Sequence, residues 1–148
     1  MKEFVVQQQI KTSKELEALQ AFLRSNQLPA DDIHLESSVY LTYYNTDENL
    51  VGSGGLEIYK DKALLRSLAV SQGLRGQQVG KQIVSDLLQK AKDLSMKEVY
   101  LLTETAFYFF QKLGFQELKR DDVPIEIQAS SEFSHVCPTS AHVMRLIL

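Results

Sequence analysis

Several things are scarce in this chain: it has one cysteine, Cys137, no tryptophan and three prolines in 148 residues. A lone thiol cannot close an intramolecular disulfide, and it rules out a zinc site built from several cysteines. The histidines at 34 and 142 have no ligand spacing, so no metal is assigned. Basic charge is not in excess either. The 16 Lys plus Arg stand against 19 Asp plus Glu, a formal charge of -3, which is no footprint for duplex nucleic acid. The longest apolar runs fall far below the ~18 residues that span a bilayer. The first seven residues turn polar before a signal-peptide core of about 7 to 15 apolar residues could form. The expectation is a soluble, cytoplasmic protein without a nucleic-acid or membrane partner. What is present is an ordinary globular composition, 44% hydrophobic and 24% charged, too apolar for disorder. The length suits one domain of roughly 100 to 200 residues, so residues 1–148 are read as a single domain.

Residues 4–10 read as a short strand. Thr12 with Glu15 three positions later forms a capping box that opens a helix, whose stripe is Leu16, Leu19, Phe22 and Leu23. After Pro29 and the Asp31-Asp32 pair a short helix or a loop is expected. Residues 39–44, 50–59 and 63–70 then read as three strands joined by short polar turns, an antiparallel meander. The period changes to 3.6 over about residues 80–94, where Ile83, Val84, Leu87, Leu88, Ala91 and Leu94 share a face. Residues 99–103 are a strand again. Strand, helix and strand in succession imply a right-handed crossover and parallel neighbours. A helix over 105–113 should end at Gly114 in a left-handed cap. Strands at 115–119 and 142–147 close the chain, and the 20 or so residues between them are long enough to be functional or to hold a short helix. The fold class is α/β, with a mixed sheet of six or seven strands flanked by helices.

Gly73, Gly76 and Gly80 cluster in the turn from the third meander strand into the long helix. The first peptide N–H groups of a helix lack intrahelical acceptors and sit at the positive end of its dipole. A small-residue turn there suits phosphate oxygens, and Arg75 and Lys81 add positive charge. Two nucleotide motifs fail on inspection. A P-loop would need Gly at 75 and Ser or Thr at 82, where Arg75 and Gln82 stand, and G-x-G-x-x-G is absent.

Arg75-Gly76-Gln77-Gln78-Val79-Gly80 resembles the coenzyme A pyrophosphate motif of the GCN5-related N-acetyltransferase superfamily, with Gln78 in place of the usual middle glycine. Losing that glycine is expected to cost left-handed freedom at position 78. Leu65 to Val70 is similar to the strand that pairs with the pantetheine arm, and Ala106 to Phe115 to the second cofactor segment with its terminal Gly-Phe. The closest resemblance within the superfamily is to amino-acid acetyltransferases and the small acetyltransferases encoded with arsenic-resistance genes. It implies acetyl-CoA as co-substrate, held by Leu68, Ala69 and Val70, by Arg75, Gly76, Gln77, Gln78, Val79, Gly80 and Lys81, and by Phe110. It also implies a small-molecule amine acceptor and leaves room for a homodimer. The family's tyrosine acid falls on Phe110 and is missing. Tyr108 is about 200° around the helix from it and is no substitute. Other readings remain: a CoA-binding module with little or no catalysis, and a phosphate or nucleotide binder unrelated to CoA.

Attack on a thioester needs a neutral amine. Deprotonation at pH 7 costs about 4.6 kcal/mol for a lysine-like amine and about 1.2 kcal/mol for a peptide-like α-amine. Glu57 is the preferred general base, directly or through a water; the plainer reading is a solvated strand carboxylate. Glu104 sits just past the strand at 99–103, where the two parallel strands could part, or equally is a cap of the helix that follows. Arg66 is a charge inside an apolar strand, so it either pairs with a protein carboxylate such as Glu57 or faces a ligand, in the sharper version as a clamp on a substrate carboxylate. Ser67, Thr103 and Thr105 are candidate contacts in the same cleft. Phe133 and Cys137, with Ser134 and Ser140, are read as a wall or lid of the acceptor site.

Overall fold

The computed structural model describes residues 6–74, 78–130, 133 and 141–148. Strand β1, Val6–Gln9, lies at one edge. Helix α1, Ser13–Ser25, starts from Thr12, whose hydroxyl accepts the Glu15 N–H while the Glu15 carboxylate accepts the Thr12 N–H. The capping box is therefore formed. The segment after Pro29 is a turn and not a helix. Strands β2 (Ser38–Tyr44), β3 (Leu50–Tyr59) and β4 (Lys62–Val70) form the expected antiparallel meander. Helix α2, Val79–Asp93, leads to β5, Glu98–Thr103, which is parallel to β4. Helix α3 is shorter than expected, Phe107–Lys112. It ends at Gly114, φ 102°, with the Phe115 N–H on the Phe110 carbonyl and the Gly114 N–H on the Gln111 carbonyl. Strand β6 is Gln116–Leu118, the late segment carries the short helix α4, Ile125–Gln128, and β7 is His142–Ile147. The sheet has seven strands in the order β1-β2-β3-β4-β5-β7-β6.

Period-two burial divides the core between the two faces of this sheet. Val39, Leu41 and Tyr43 of β2 pack with Ile83, Val84, Leu87 and Ala91 of α2. Tyr40 turns the other way, against Leu19 and Leu23 of α1. Beside that second cluster, Leu64 and Tyr100 meet Val123, Ile127 and Phe133 of the late segment. Helix α2 lies directly on the glycines of β3: a β-carbon at Gly54 would come within 2.8 Å of Ile83 and 2.7 Å of Leu87. The close approach fixes where the N-terminus of α2 stands relative to β4.

In β4 the alternation changes phase. Ala63 and Leu65 face α2, but beyond Ser67 the even residues Leu68 and Val70 face it, and Ala69 joins the α1 side. The cause is a bulge. Ser53 pairs with Ala69 and Gly55 with Arg66, so Gly54 alone stands opposite Ser67 and Leu68. One extra residue flips every later side chain to the other face. No helix among the described residues is long and apolar enough to cross a membrane.

A β-carbon at Gly55 would lie 2.3 Å from the ring of Tyr40, which is buried to 1% exposure. Overpacking of this kind costs about 1–3 kcal/mol. Gly55→Ala should therefore lower the denaturant midpoint with little change in the m-value, measured by urea unfolding.

Candidate functional site

Strands β4 and β5 hydrogen-bond only at their beginnings: Lys62 with Glu98, Ala63 with Val99 and Leu64 with Tyr100. Past that point they separate. The gap opens into a cavity with two wings. The inner wing, about 590 Å³, is lined by Leu65 to Leu68 of β4, Leu101 to Thr103 of β5, Glu104, Thr105, Phe110 and the segment after α1 from Asn26 to Pro29. The outer wing, about 650 Å³, is lined by Leu68, Ala69, Val70, Leu74, Gln78, Gly80, Lys81, Thr105, Ala106 and Phe109. Leu68, Thr105, Ala106, Asn26 and Leu28 border both. The described cofactor candidates on β4 and α2 thus gather along one wing, with Val79 in the first turn of α2 behind them.

At the mouth of the outer wing α2 begins. Its first intrahelical bond runs from the Gln82 N–H to the Gln78 carbonyl, so the N–H groups of Val79, Gly80 and Lys81 have no acceptor within the helix. Gln78 has φ 65° and ψ 14°. The expected loss of left-handed freedom there is corrected: a non-glycine residue adopts that conformation. Arg75, Gly76 and Gln77 lie outside the described residues, as do Cys137, Ser134 and Ser140. Phe133 is buried in the cluster under the late segment and lines neither wing. Phe110 is in the inner wing, and its neighbour Phe109, passed over in the sequence, borders the outer one. Tyr108 is 73% exposed, as the helical angle requires.

The substrate candidates are brought together unevenly. Thr103 accepts a hydrogen bond from the Ala106 N–H at 2.9 Å in the turn that precedes α3. Thr105 is exposed on the rim common to both wings. Of the two readings of Arg66, the structure shows the pairing with a protein carboxylate, on Asp32 in place of Glu57: Nη1 and Nη2 lie 2.6 and 2.7 Å from its two carboxylate oxygens. Asp32 is some thirty positions away on the turn after α1, and nothing in the sequence linked the two. Arg66 Nη1 is also 3.6 Å from Glu57 Oε1. Its Nε–H donates to Ser67 Oγ at 3.2 Å.

Glu57 is 7% exposed and stands behind Arg66, not on the lining of either wing. Its Oε1 has no hydrogen-bond partner among the described residues. Burial pushes its carboxyl above the ordinary value of 4.5, the Arg66 guanidinium opposes that, and the Asp32 carboxylate adds to it. Burial and the neighbouring Glu57 push the Tyr59 hydroxyl up to about 12. Among the described residues no group of His, Cys, Asp and Glu is placed to hold a metal ion.

The mixed sheet thus parts beside a helix N-terminus, with an apolar slot running between the two features. Residues 8–115 match the Acetyltransferase (GNAT) family, and the chain belongs to that family. Over 80 residues it is 38% identical to an "Amino-acid acetyltransferase" of Mycobacterium tuberculosis, 53% of this chain and 45% of that protein. It spans less than half the length of the curated relatives it matches. The crystal structure of a Mycobacterium tuberculosis protein in complex with CoA and NLQ superposes with a TM-score of 0.74 at 25% identity, covering 97% of this chain and 99% of that one. N-acetylglutamate synthase from Neisseria gonorrhoeae, complexed with coenzyme A and N-acetyl-glutamate, gives a TM-score of 0.78 at 18% identity over 100% of this chain and 36% of that one. The latter likeness concerns the fold.

Two outcomes follow from the local geometry. A left-handed non-glycine residue costs about 1–2 kcal/mol, partly offset by the greater entropy a glycine loses on folding. Gln78→Gly should therefore raise the melting temperature slightly while leaving the fold unchanged by circular dichroism. Glu57 has a folded-state pKa above its ordinary value, so the stability it contributes is fullest below that value and declines as pH rises through the folded one. The melting temperature of Glu57→Gln minus that of the unaltered protein should become more positive between about pH 4 and about pH 7.

Proposed function

We propose that this chain is an acetyl-CoA-dependent N-acetyltransferase that moves acetyl directly onto the primary amine of a small, amino-acid-like acceptor. The observation that carries this reading is the parting of β4 and β5 into two wings that meet at Leu68, Thr105 and Ala106. The lining fits the two substrates. The apolar walls of the outer wing, Leu68, Ala69, Val70 and Phe109, suit a pantetheine arm, and the unpaired N–H groups that open α2 suit its pyrophosphate. Lys81 borders the same wing. The inner wing is a separate entrance for the amine. The relatives named amino-acid acetyltransferases support the acceptor class.

Holding amine and thioester in line supplies several kcal/mol without an enzyme nucleophile. The amine nitrogen attacks the carbonyl carbon, the carbon–sulfur bond breaks, and the proton lost by nitrogen ends on the thiolate. With Phe110 where a tyrosine acid would stand, that proton travels through water or from the amine itself. A free α-amine is the easier nucleophile, since it needs far less help in deprotonation than a lysine-type amine. A second reading, a CoA-binding module with little turnover, is favoured by one observation: Glu57 lies behind Arg66 and not at the cavity wall.

Thermal unfolding with CoA, acetyl-CoA, ATP and NAD separates these readings, because a ligand that binds the native state raises its stability by mass action. The expected result is a shift with CoA and acetyl-CoA alone, followed by free-thiol release when amino acids are added. A CoA shift with no thiol release across the amine panel would favour the binding module, and no CoA shift at high ligand concentration would overturn both readings.

A further inference from the structure

Ser67 stands next to the point where the two wings meet. It lines the inner wing, and the next residue, Leu68, borders both. Its backbone is left-handed, φ 60°, inside the bulge, and its carbonyl accepts a buried hydrogen bond of 2.8 Å from Ser53 Oγ. The bulge allows consecutive side chains to meet on one face, so Arg66 Nε–H reaches Ser67 Oγ at 3.2 Å. Arg66 is fixed in turn by its two-pronged contact with Asp32. Ser67 Oγ therefore receives a charged donor, and among the described residues no acceptor takes its own proton. A hydroxyl whose oxygen is already hydrogen-bonded to a guanidinium is a stronger and better aimed donor than a free one.

We propose that Ser67 Oγ–H, oriented by the Arg66–Asp32 pair, is a catalytic hydrogen-bond donor to the thioester carbonyl oxygen of acetyl-CoA. The inference rests on the acetyltransferase reading and assigns it an electrostatic device. As the amine lone pair forms the new carbon–nitrogen bond, the π electrons of the carbonyl move onto its oxygen, where the Ser67 donor meets the growing negative charge. Return of that pair expels the thiolate, which collects the proton released by the nitrogen. Ser67 keeps its own proton throughout. The step consumes amine and thioester, yields amide and thiol, and needs no other reactant. Arg66 and Asp32 are positioning residues, acting through Ser67.

The test uses Ser67→Gly, which removes the hydroxyl and suits the left-handed backbone, so folding is preserved. Affinities for CoA and acetyl-CoA are measured by calorimetry beside steady-state kinetics. The expected result is a kcat lower by on the order of 100-fold, an unchanged KM for the amine, and a loss of about fivefold in affinity for acetyl-CoA with CoA binding unaltered. Asp32→Asn, measured well below its melting temperature, should move kcat and the acetyl-CoA to CoA affinity ratio in the same direction by less. A merely structural role would leave that ratio alone. Ser67→Gly with unchanged kcat and unchanged ratio overturns the assignment, as does a rise confined to the amine KM, which would make Ser67 an acceptor contact. An Asp32→Asn variant that keeps both quantities overturns the orienting role. If the unaltered protein binds neither CoA nor acetyl-CoA, the function proposed above falls and takes this assignment with it.

Discussion

Everything in the site depends on a broken sheet. Parallel strands gain stability from a continuous ladder, yet β4 and β5 abandon theirs after Leu64 and Tyr100. Helix α2 connects the two and is clamped onto β3 by the close contact at Gly54. Its N-terminus is thereby held over the outer half of β4. A chain that leaves backbone groups unpaired between two strands leaves them available to an extended ligand, and the side chains facing the gap are mostly apolar. The opening is thus both a loss of internal bonding and a template for something long, thin and partly polar.

The second constraint is the charge carried into that break. Arg66 has a side chain only 1% exposed, Asp32 one at 14%, and Glu57 sits beside them with its carboxyl pushed toward the neutral form by burial. Buried ion pairs contribute little net stability, whereas removing one partner costs about 3–5 kcal/mol. Asp32 comes from the turn after α1, so the pair also ties the inner wall of the cavity, Asn26 to Pro29, to β4. Of the two ionisable groups among the described residues that line the inner wing, Arg66 and Glu104, the first is already engaged by protein. Among the described residues that leaves only neutral donors there for an acceptor carboxylate.

Legibility in the sequence followed the range of the interactions. The capping box at Thr12, the meander, the crossover and Gly114 are local patterns, and each stands where the residues indicate. The Schellman closures of α1 and α2 escaped, since their left-handed positions are Gln27 and Ser95, and only glycine signals such a turn in a sequence. The bulge escaped for the same reason: Ser67 gives no sign of φ 60°, and without it the alternation in β4 puts the wrong residues on each face. The partnership of Arg66 with Asp32 is long-range and could be read only as a demand for some carboxylate, which the sequence placed on Glu57.

Backbone strain gives these features a common logic. Seven non-glycine residues among those described have positive φ, and three of them, Gln27, Ser67 and Gln78, line the cavity. The other four sit in turns or at element ends, where such residues have a local purpose. Each left-handed residue costs of order 1–3 kcal/mol and persists only where its surroundings over-determine it. For Ser67 the surroundings are visible: Ser53 holds its carbonyl and Arg66 its hydroxyl, so both of its polar ends are anchored by buried side chains. Without the bulge the alternation in β4 would run on unbroken, and Leu68 and Val70 would turn to the opposite face. The contact from Ser53 to the Ser67 carbonyl, which does not involve the hydroxyl, therefore holds the bulge at the cavity wall.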